Sequence, residues 1–221
     1  MDGALFPSLL EITLRSLLVS VGAVIFASLV AIPFGIWLAL SRFRGKGAVV
    51  AVLNAFMGLP PVVVGLVLYL LLSRAGPFGV LDLLFTPWAM ILAQLIIVLP
   101  LIASITHQAM EALWEEYREL LTSLGVRRRS CIAILARDGR RALLTAALAG
   151  FGRATGEVGA VLIVGGNIDH LTRVLTTAIT LETSKGNLAF AVALGAVLVS
   201  ISLVVSIALH LLARREPARA W

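Results

Sequence analysis

The chain of 221 residues contains little charge: 14% of its residues are charged, whereas 60% are hydrophobic and the mean hydropathy is +1.02. A soluble domain of this length could not bury so much apolar surface, so the composition places the chain in a lipid bilayer. Basic residues outnumber acidic ones, 18 to 12. They cluster beside apolar segments, which indicates membrane topology rather than binding to nucleic acid.

Other features that the sequence lacks exclude further classes. The single cysteine, Cys131, excludes an internal disulfide framework. The alternating ten-residue pattern of a membrane β-barrel is missing, as are internal repeats. Gly45-Lys46-Gly47 is too short for a phosphate-binding loop and lacks its hydroxyl residue, so the sequence offers no such nucleotide-binding motif. No metal site or catalytic constellation is visible, and the three histidines are not at ligand spacing: His107, His170 and His210.

Five apolar segments are long enough to cross a bilayer, which takes about 20 residues. Because lipid cannot satisfy free backbone groups, each segment is predicted to be a helix. The N-terminus has no basic region or cleavage site of a signal peptide, so the first span is predicted to be retained. The predicted spans are residues 16–40, 48–72, 88–106, 142–164 and 188–212.

Thirteen of the 18 basic residues lie in three segments on one side of a five-span chain. The positive-inside rule therefore predicts that these segments are cytoplasmic and that the N-terminus is outside. The C-terminal tail is then inside, and the loops at residues 73–87 and 165–187 are outside. The basic residues are Arg42, Arg44 and Lys46; Arg118, Arg127, Arg128, Arg129, Arg137, Arg140 and Arg141; and Arg214, Arg215 and Arg219.

Prolines interrupt two of the spans. Pro60 and Pro61 lie in the middle of the second span, and Pro33 lies late in the first. Proline removes a helix donor and clashes with the preceding turn, so a kink or break is expected at each site. Such breaks occur along the substrate path of transporters, but they also serve simple packing.

A charged insert, residues 111–141, separates the third and fourth spans. Apolar residues recur with helical spacing from Trp114 to Leu124, and Gly125 supplies a left-handed stop. A second helical stretch, residues 130–137, returns towards the membrane. The insert is either a contact site for a soluble partner or an amphipathic helix on the cytoplasmic leaflet.

The insert resembles the coupling loop of ABC importer permeases, whose signature is Glu-Ala-Ala followed after three residues by Gly. Glu119 and Gly125 keep that spacing, whereas Leu120 and Leu121 replace the alanines, and Arg137-Asp138 stands where the family has Leu-Pro. Glu119, Leu120, Leu121 and Gly125 are therefore expected to couple the chain to an ATPase, with Glu119 contacting it or capping the bend.

A second resemblance lies downstream. The segments 152–160, 165–168, 172–179 and 181–187 are similar to permeases for molybdate, sulfate and tungstate, and to tungstate permeases in particular. The resemblance implies an all-α membrane protein with the type I ABC importer fold, forming one permease domain over residues 1–221. It also implies a homodimer, two cytoplasmic ATPase subunits that use ATP and Mg²⁺, and an external oxyanion-binding protein.

The candidate path residues are polar groups in or beside the fourth span. Arg153 and Glu157 are four residues apart and are predicted to share a helix face, as a structural ion pair or as part of the anion path. Residues 171–182 are predicted to form an amphipathic helix whose hydroxyl face lines the outer mouth or docks the binding protein. The candidates are Arg153, Thr155, Glu157, Thr172, Arg173 and Thr176.

Together these features predict the membrane subunit of an ATP-driven importer in the cell membrane, with tungstate as the leading substrate and no enzymatic activity of its own. Molybdate and sulfate remain open. An ion-coupled carrier would have repeats and more ionisable groups at mid-membrane, a membrane enzyme would need a catalytic set, and a channel or scaffold would not need the insert.

Overall fold

A computed structural model describes the backbone of residues 5–214 and, away from the two ends, their side chains. Arg215 and Arg219 and the first four residues lie outside the described chain, as do the side chains of His210 and Arg214. The described residues form a 3-10 helix, Gly79–Leu81, and nine α-helices: α1 Leu5–Leu40, α2 Lys46–Met57, α3 Pro61–Leu72, α4 Pro87–Ser123, α5 Arg128–Asp138, α6 Arg140–Thr155, α7 Gly159–Gly165, α8 Leu175–Ser184 and α9 Leu188–Arg214.

Helix α4 is the centre of the bundle. In its most apolar stretch 67% of the residues are buried, against 28% for α1 and 11% for α9. Small residues let α1 approach it closely, because a Cβ on Gly35 would lie 2.8 Å from Cβ of Thr106. Helix α1 continues through Pro33 as one helix of 36 residues, so Pro33 does not break it.

Three helices, α1, α4 and α9, are long and apolar enough to cross a membrane alone. The other two predicted spans are each a bent pair, α2 with α3 and α6 with α7, which gives up to five spans. The helices are longer than the predicted spans: α1 begins before residue 16, and α4 continues to Ser123. The first half of the charged insert is therefore the end of a spanning helix.

The break in the second span lies at Gly58-Leu59-Pro60, where α2 and α3 meet at 95°. Two amides at the end of α2, those of Gly58 and Leu59, donate to the carbonyls of Ala55 and Phe56 at 3.1 and 3.3 Å. Pro61 then occupies the first position of α3, where a missing N–H costs nothing.

The fourth span breaks between Thr155 and Gly159, and α6 and α7 meet at 64°. The halves beyond the two breaks, α3 and α7, pack directly on each other. A Cβ on Gly65 would lie 2.7 Å from Cα of Ala160, and one on Gly159 would lie 2.8 Å from Cγ2 of Val62. The two breaks therefore lie side by side in the fold.

We predict that Gly65→Val destabilises the protein by about 1–3 kcal/mol, because the valine side chain would push the backbone of α3 away from that of α7. Gly195→Ala is the matched control, since nothing lies within 4 Å of a Cβ there. Thermal unfolding of the purified protein in detergent measures both. Equal melting temperatures for Gly65→Val and the wild type would contradict the close α3–α7 contact.

Candidate functional site: the coupling segment and the broken spans

The tip of the insert is a glycine-terminated helix end. Gly125 has φ +64°, a left-handed conformation that costs residues with a Cβ roughly 1–2 kcal/mol. The amide of Val126 donates to the carbonyl of Leu121 and the amide of Gly125 donates to that of Thr122, both at 3.1 Å. This pair of bonds is the Schellman motif, which satisfies carbonyls left free at a helix end.

The motif divides the leucines of the insert between the core and the surface. Leu121 is buried in a cluster with Cys131 and Leu135 of α5, so α5 folds back against the end of α4. Leu120 and Leu124 are 57% and 68% exposed. The tip therefore presents two large apolar side chains that the rest of the described chain leaves mostly exposed.

Glu119 is exposed beside these leucines and makes no hydrogen bond or ion pair within residues 5–214. It therefore does not cap the bend, because the backbone bonds of the Schellman motif do so. Since residues 111–123 continue the axis of α4, the geometry favours a tip that projects from the bundle over a helix that lies along a membrane surface.

The base of the insert is tied to the turn between α1 and α2. Lys46 Nζ donates to Glu111 Oε1 at 2.8 Å and to the carbonyl of Ala39 at 3.1 Å. Arg128 donates to the carbonyl of Leu40 at 3.2 Å. Two cations thus sit on the C-terminal carbonyls of α1, where the helix dipole favours positive charge. The turn, the insert and the end of α1 are held together by these contacts.

The break in the fourth span changes the interpretation of Arg153 and Glu157. The two residues do not share one helix, because α6 ends at Thr155. Arg153 lies in the last turn of α6 and donates to Glu157 Oε2 at 2.9 Å across the break. The other oxygen of Glu157 accepts from the amide of Ala160 at 3.2 Å, at the start of α7. Each charge therefore lies at the helix end whose dipole favours it.

Two further side chains satisfy the backbone at this break. Gln94 of α4 is buried and donates to the carbonyl of Ala154 at 3.0 Å. The hydroxyl of Thr176 donates to the carbonyl of Glu157 at 2.9 Å. Gln94 was absent from the sequence candidates, although an amide in the otherwise apolar first half of α4 is a signal that could have identified it.

The three candidate threonines face inwards rather than towards a mouth. Thr155, Thr172 and Thr176 are all buried. Thr155 donates to the carbonyl of Gly152 at 3.1 Å, and Thr172 donates to that of Gly165 at 2.5 Å. Because the loop before α8 folds on itself, the outer helix starts at Leu175 rather than at residue 171. The predicted hydroxyl face is used to satisfy backbone carbonyls.

Arg173 lies in a charged cleft at the end of the bundle opposite the insert. Its guanidinium pairs with Asp169 at 2.6 Å. The cleft has a volume of about 160 Å³ and lies between the start of α1, the loop before α8 and the start of α9. Its lining carries three carboxylates, two arginines and one histidine: Glu11, Asp169 and Glu182, Arg15 and Arg173, and His170.

Comparison with known proteins identifies the family. Residues 31–216 match the family described as "Binding-protein-dependent transport system inner membrane component". The chain belongs to this family.

The relatives of this inner membrane component include permeases for anions. The chain is 43% identical to a probable anion ABC transporter permease protein of Haloferax volcanii, over 90% of this chain and 88% of the relative. It is 39% identical to a tungstate uptake system permease protein of Peptoclostridium acidaminophilum, over 92% and 90%. A molybdenum transport system permease protein of Azotobacter vinelandii is 34% identical, over 68% and 70%.

The family and these relatives together place the chain among ABC transporter permeases of the molybdate, sulfate and tungstate group, with their all-α type I importer fold. It is a multi-pass membrane transport component. The exposed tip of the insert and the two adjacent breaks are the structural features that we expect to act in transport.

We predict that Arg153→Met is more destabilising than the double change Arg153→Met/Glu157→Gln in this permease. Glu157 is 4% exposed and Arg153 35% exposed, so removing the arginine leaves a buried carboxylate with one amide donor, a loss of roughly 1–3 kcal/mol after allowing for solvent screening. The melting temperatures of the two variants in detergent give their order of stability.

Arg15→Met is the control, because it removes the arginine of the more exposed pair with Glu11, at 2.7 Å, and should cost less stability than Arg153→Met. A double variant less stable than Arg153→Met would show that the pair does not act through charge compensation.

Proposed function

We propose that this chain is the membrane subunit of an ATP-driven importer that moves a tetrahedral oxyanion into the cytoplasm, with tungstate as the leading substrate. Tungstate is favoured because two relatives, 39% and 36% identical, are tungstate uptake permeases. Molybdate and sulfate are the alternatives, since permeases for those anions are also related at 34% and 30% identity.

The observation that carries this proposal is the continuity of α4. One helix of 37 residues, about 55 Å long, extends from the buried centre of the bundle to the exposed leucines at the insert tip. This helix contacts the break of the fourth span through Gln94, and it contacts the end of α1 through the ion pair of Glu111 with Lys46. A displacement of the tip therefore acts on elements near both ends of the helix.

In the proposed assembly, two copies of the chain and two ATPase subunits form the core transporter. The insert end, with Lys46 and the arginines of α5, faces the cytoplasm, as the positive-inside rule requires. The N-terminus and the charged cleft face outwards, where an oxyanion-binding protein docks. ATP and Mg²⁺ bind to the ATPases, whose surface takes up Leu120 and Leu124. The chain acts as a single permease domain over residues 1–221.

The proposed mechanism is alternating access. ATP closes the paired ATPases, which draws the two insert tips together and opens the dimer outwards to receive the anion. Hydrolysis returns the dimer to its inward-open state. The breaks at residues 58–60 and 156–158 are the points at which the spans bend, because no continuous helix satisfies their backbone groups. Local backbone bonds do so at the first break, and the side chains of Gln94, Glu157 and Thr176 do so at the second.

We predict that Gly125→Leu uncouples ATP hydrolysis from transport, whereas Gly125→Asn retains most of the coupling. No atom lies within 4 Å of a Cβ at this position, so only the left-handed backbone opposes a side chain, and asparagine tolerates that conformation. The ratio of ions imported to ATP hydrolysed, measured in proteoliposomes, should fall several-fold for leucine.

Equal ratios for the leucine variant and the wild type would remove Gly125 from the coupling mechanism. A lower ratio for both variants would indicate that the site requires the absence of a side chain rather than a left-handed backbone.

A test of the proposed function itself uses the purified chain and the assembled complex. The permease alone should bind no ATP, and it should co-purify with its ATPase subunits. The reconstituted complex should accumulate labelled tungstate only with ATP and the loaded binding protein. Tight nucleotide binding by the permease alone, or ATP-independent accumulation, would contradict the divided assembly.

A further inference from the structure

A small polar cluster lies between α2 and α4, apart from the two breaks. Gln108 donates from Nε2 to Ser104 Oγ at 3.3 Å, and Ser104 donates from Oγ to Asn54 Oδ1 at 2.8 Å. Ser104 is buried, whereas Asn54 and Gln108 are exposed. After Lys46, Asn54 is the single polar residue of α2, whose sequence is otherwise apolar or glycine.

The hydrogen bonds fix the direction of the Asn54 amide. Ser104 accepts from Gln108 Nε2 and donates its one hydroxyl proton to the carbonyl oxygen of Asn54. The NH₂ group of Asn54 is consequently turned away from α4. Neither of its N–H groups has a hydrogen-bond partner within residues 5–214, and the side chain is exposed.

Two free amide donors are unfavourable against hydrocarbon, where nothing accepts their hydrogen bonds. A leucine or valine, as at neighbouring positions of α2, would suit a lipid-facing surface. This edge of the α2–α4 contact therefore faces water, a polar ligand or another protein chain. Asn54 lies eight residues after Lys46, or about 12 Å along the helix, and four residues before Gly58 at the first break.

We propose that the NH₂ group of Asn54, oriented by Ser104 and Gln108, is a contact site for the transported oxyanion between the first break and the insert end. A neutral N–H of this group can donate to an oxygen of a tetrahedral anion and release it more readily than a fixed cation does. The inference rests on the proposed oxyanion transport. The competing occupant is a carbonyl of a second copy of the chain, since amides also join helices in membranes.

The test is uptake of labelled tungstate by the complete transporter in proteoliposomes, with ATP hydrolysis and the oligomeric state measured in parallel. Asn54→Leu removes the donors, and the loss of a hydrogen bond to a charged group should lower the uptake rate about tenfold. Asn54→Asp, nearly the same shape but acidic, should lower it further by repelling the anion. In both variants the loaded binding protein should still stimulate ATP hydrolysis.

Two more variants keep the test informative. Ser104→Ala leaves Asn54 in place but frees its amide to rotate, and should give a smaller loss of uptake. Ser200→Ala is the matched control, because Ser200 donates only to the carbonyl of Ala196 on the exposed helix α9, and should leave uptake unchanged.

Unchanged uptake in Asn54→Leu and Asn54→Asp would overturn the inference, and so would dissociation of the dimer in Asn54→Leu, which would assign the amide to the interface between copies. If Asn54→Leu does not fold, uptake by the Asn54→Asp and Ser104→Ala variants decides whether Asn54 contacts the anion. Failure of the wild-type complex to accumulate any oxyanion would instead contradict the proposed function.

Discussion

The structure depends on one constraint: a helix that breaks inside a bilayer must satisfy its own free backbone groups, because lipid offers none. At the first break, the amides of Gly58 and Leu59 turn back onto α2, and Pro60 and Pro61 have no N–H to satisfy. The second break contains no proline, so side chains have to satisfy its free backbone groups. Glu157, Thr176 and Gln94 supply the acceptor and the donors there.

This difference gives the two breaks different mechanical properties. The first break is closed by local backbone bonds, so its free backbone groups do not depend on hydrogen bonds from other helices. The second is held by side chains from α4 and from α8, so a displacement of either helix is transmitted to α6 and α7. Because Gly65 lies against Ala160, α3 then follows α7. A movement of α4 thereby reaches both broken spans through the hydrogen bond from Gln94 to Ala154 and through the packing of α3 on α7.

Local sequence patterns predicted those features that depend on local chemistry. The helices, the bend at Pro60 and the left-handed Gly125 follow from hydropathy, proline geometry and the missing Cβ. The contacts between helices could not be predicted from these local patterns. The spacing of Thr172 and Thr176 indicated an exposed hydroxyl face, but both bury their hydroxyls against carbonyls whose position depends on the tertiary fold. Lys46 and Glu111 are 65 residues apart, and no periodicity relates residues at that separation.

The distribution of charge bears on how an anion can pass such a chain. Arg153 is engaged by Glu157 and Arg173 by Asp169, while Lys46 is held by Glu111 and Arg128 by the end of α1. These cations are thus occupied in holding the fold. An anion that met an unpaired arginine at mid-membrane would bind too strongly to leave, whereas neutral donors bind it weakly enough for release. Pairing the cations therefore serves transport as well as stability, and it leaves amides such as Asn54 as the suitable contacts for the oxyanion.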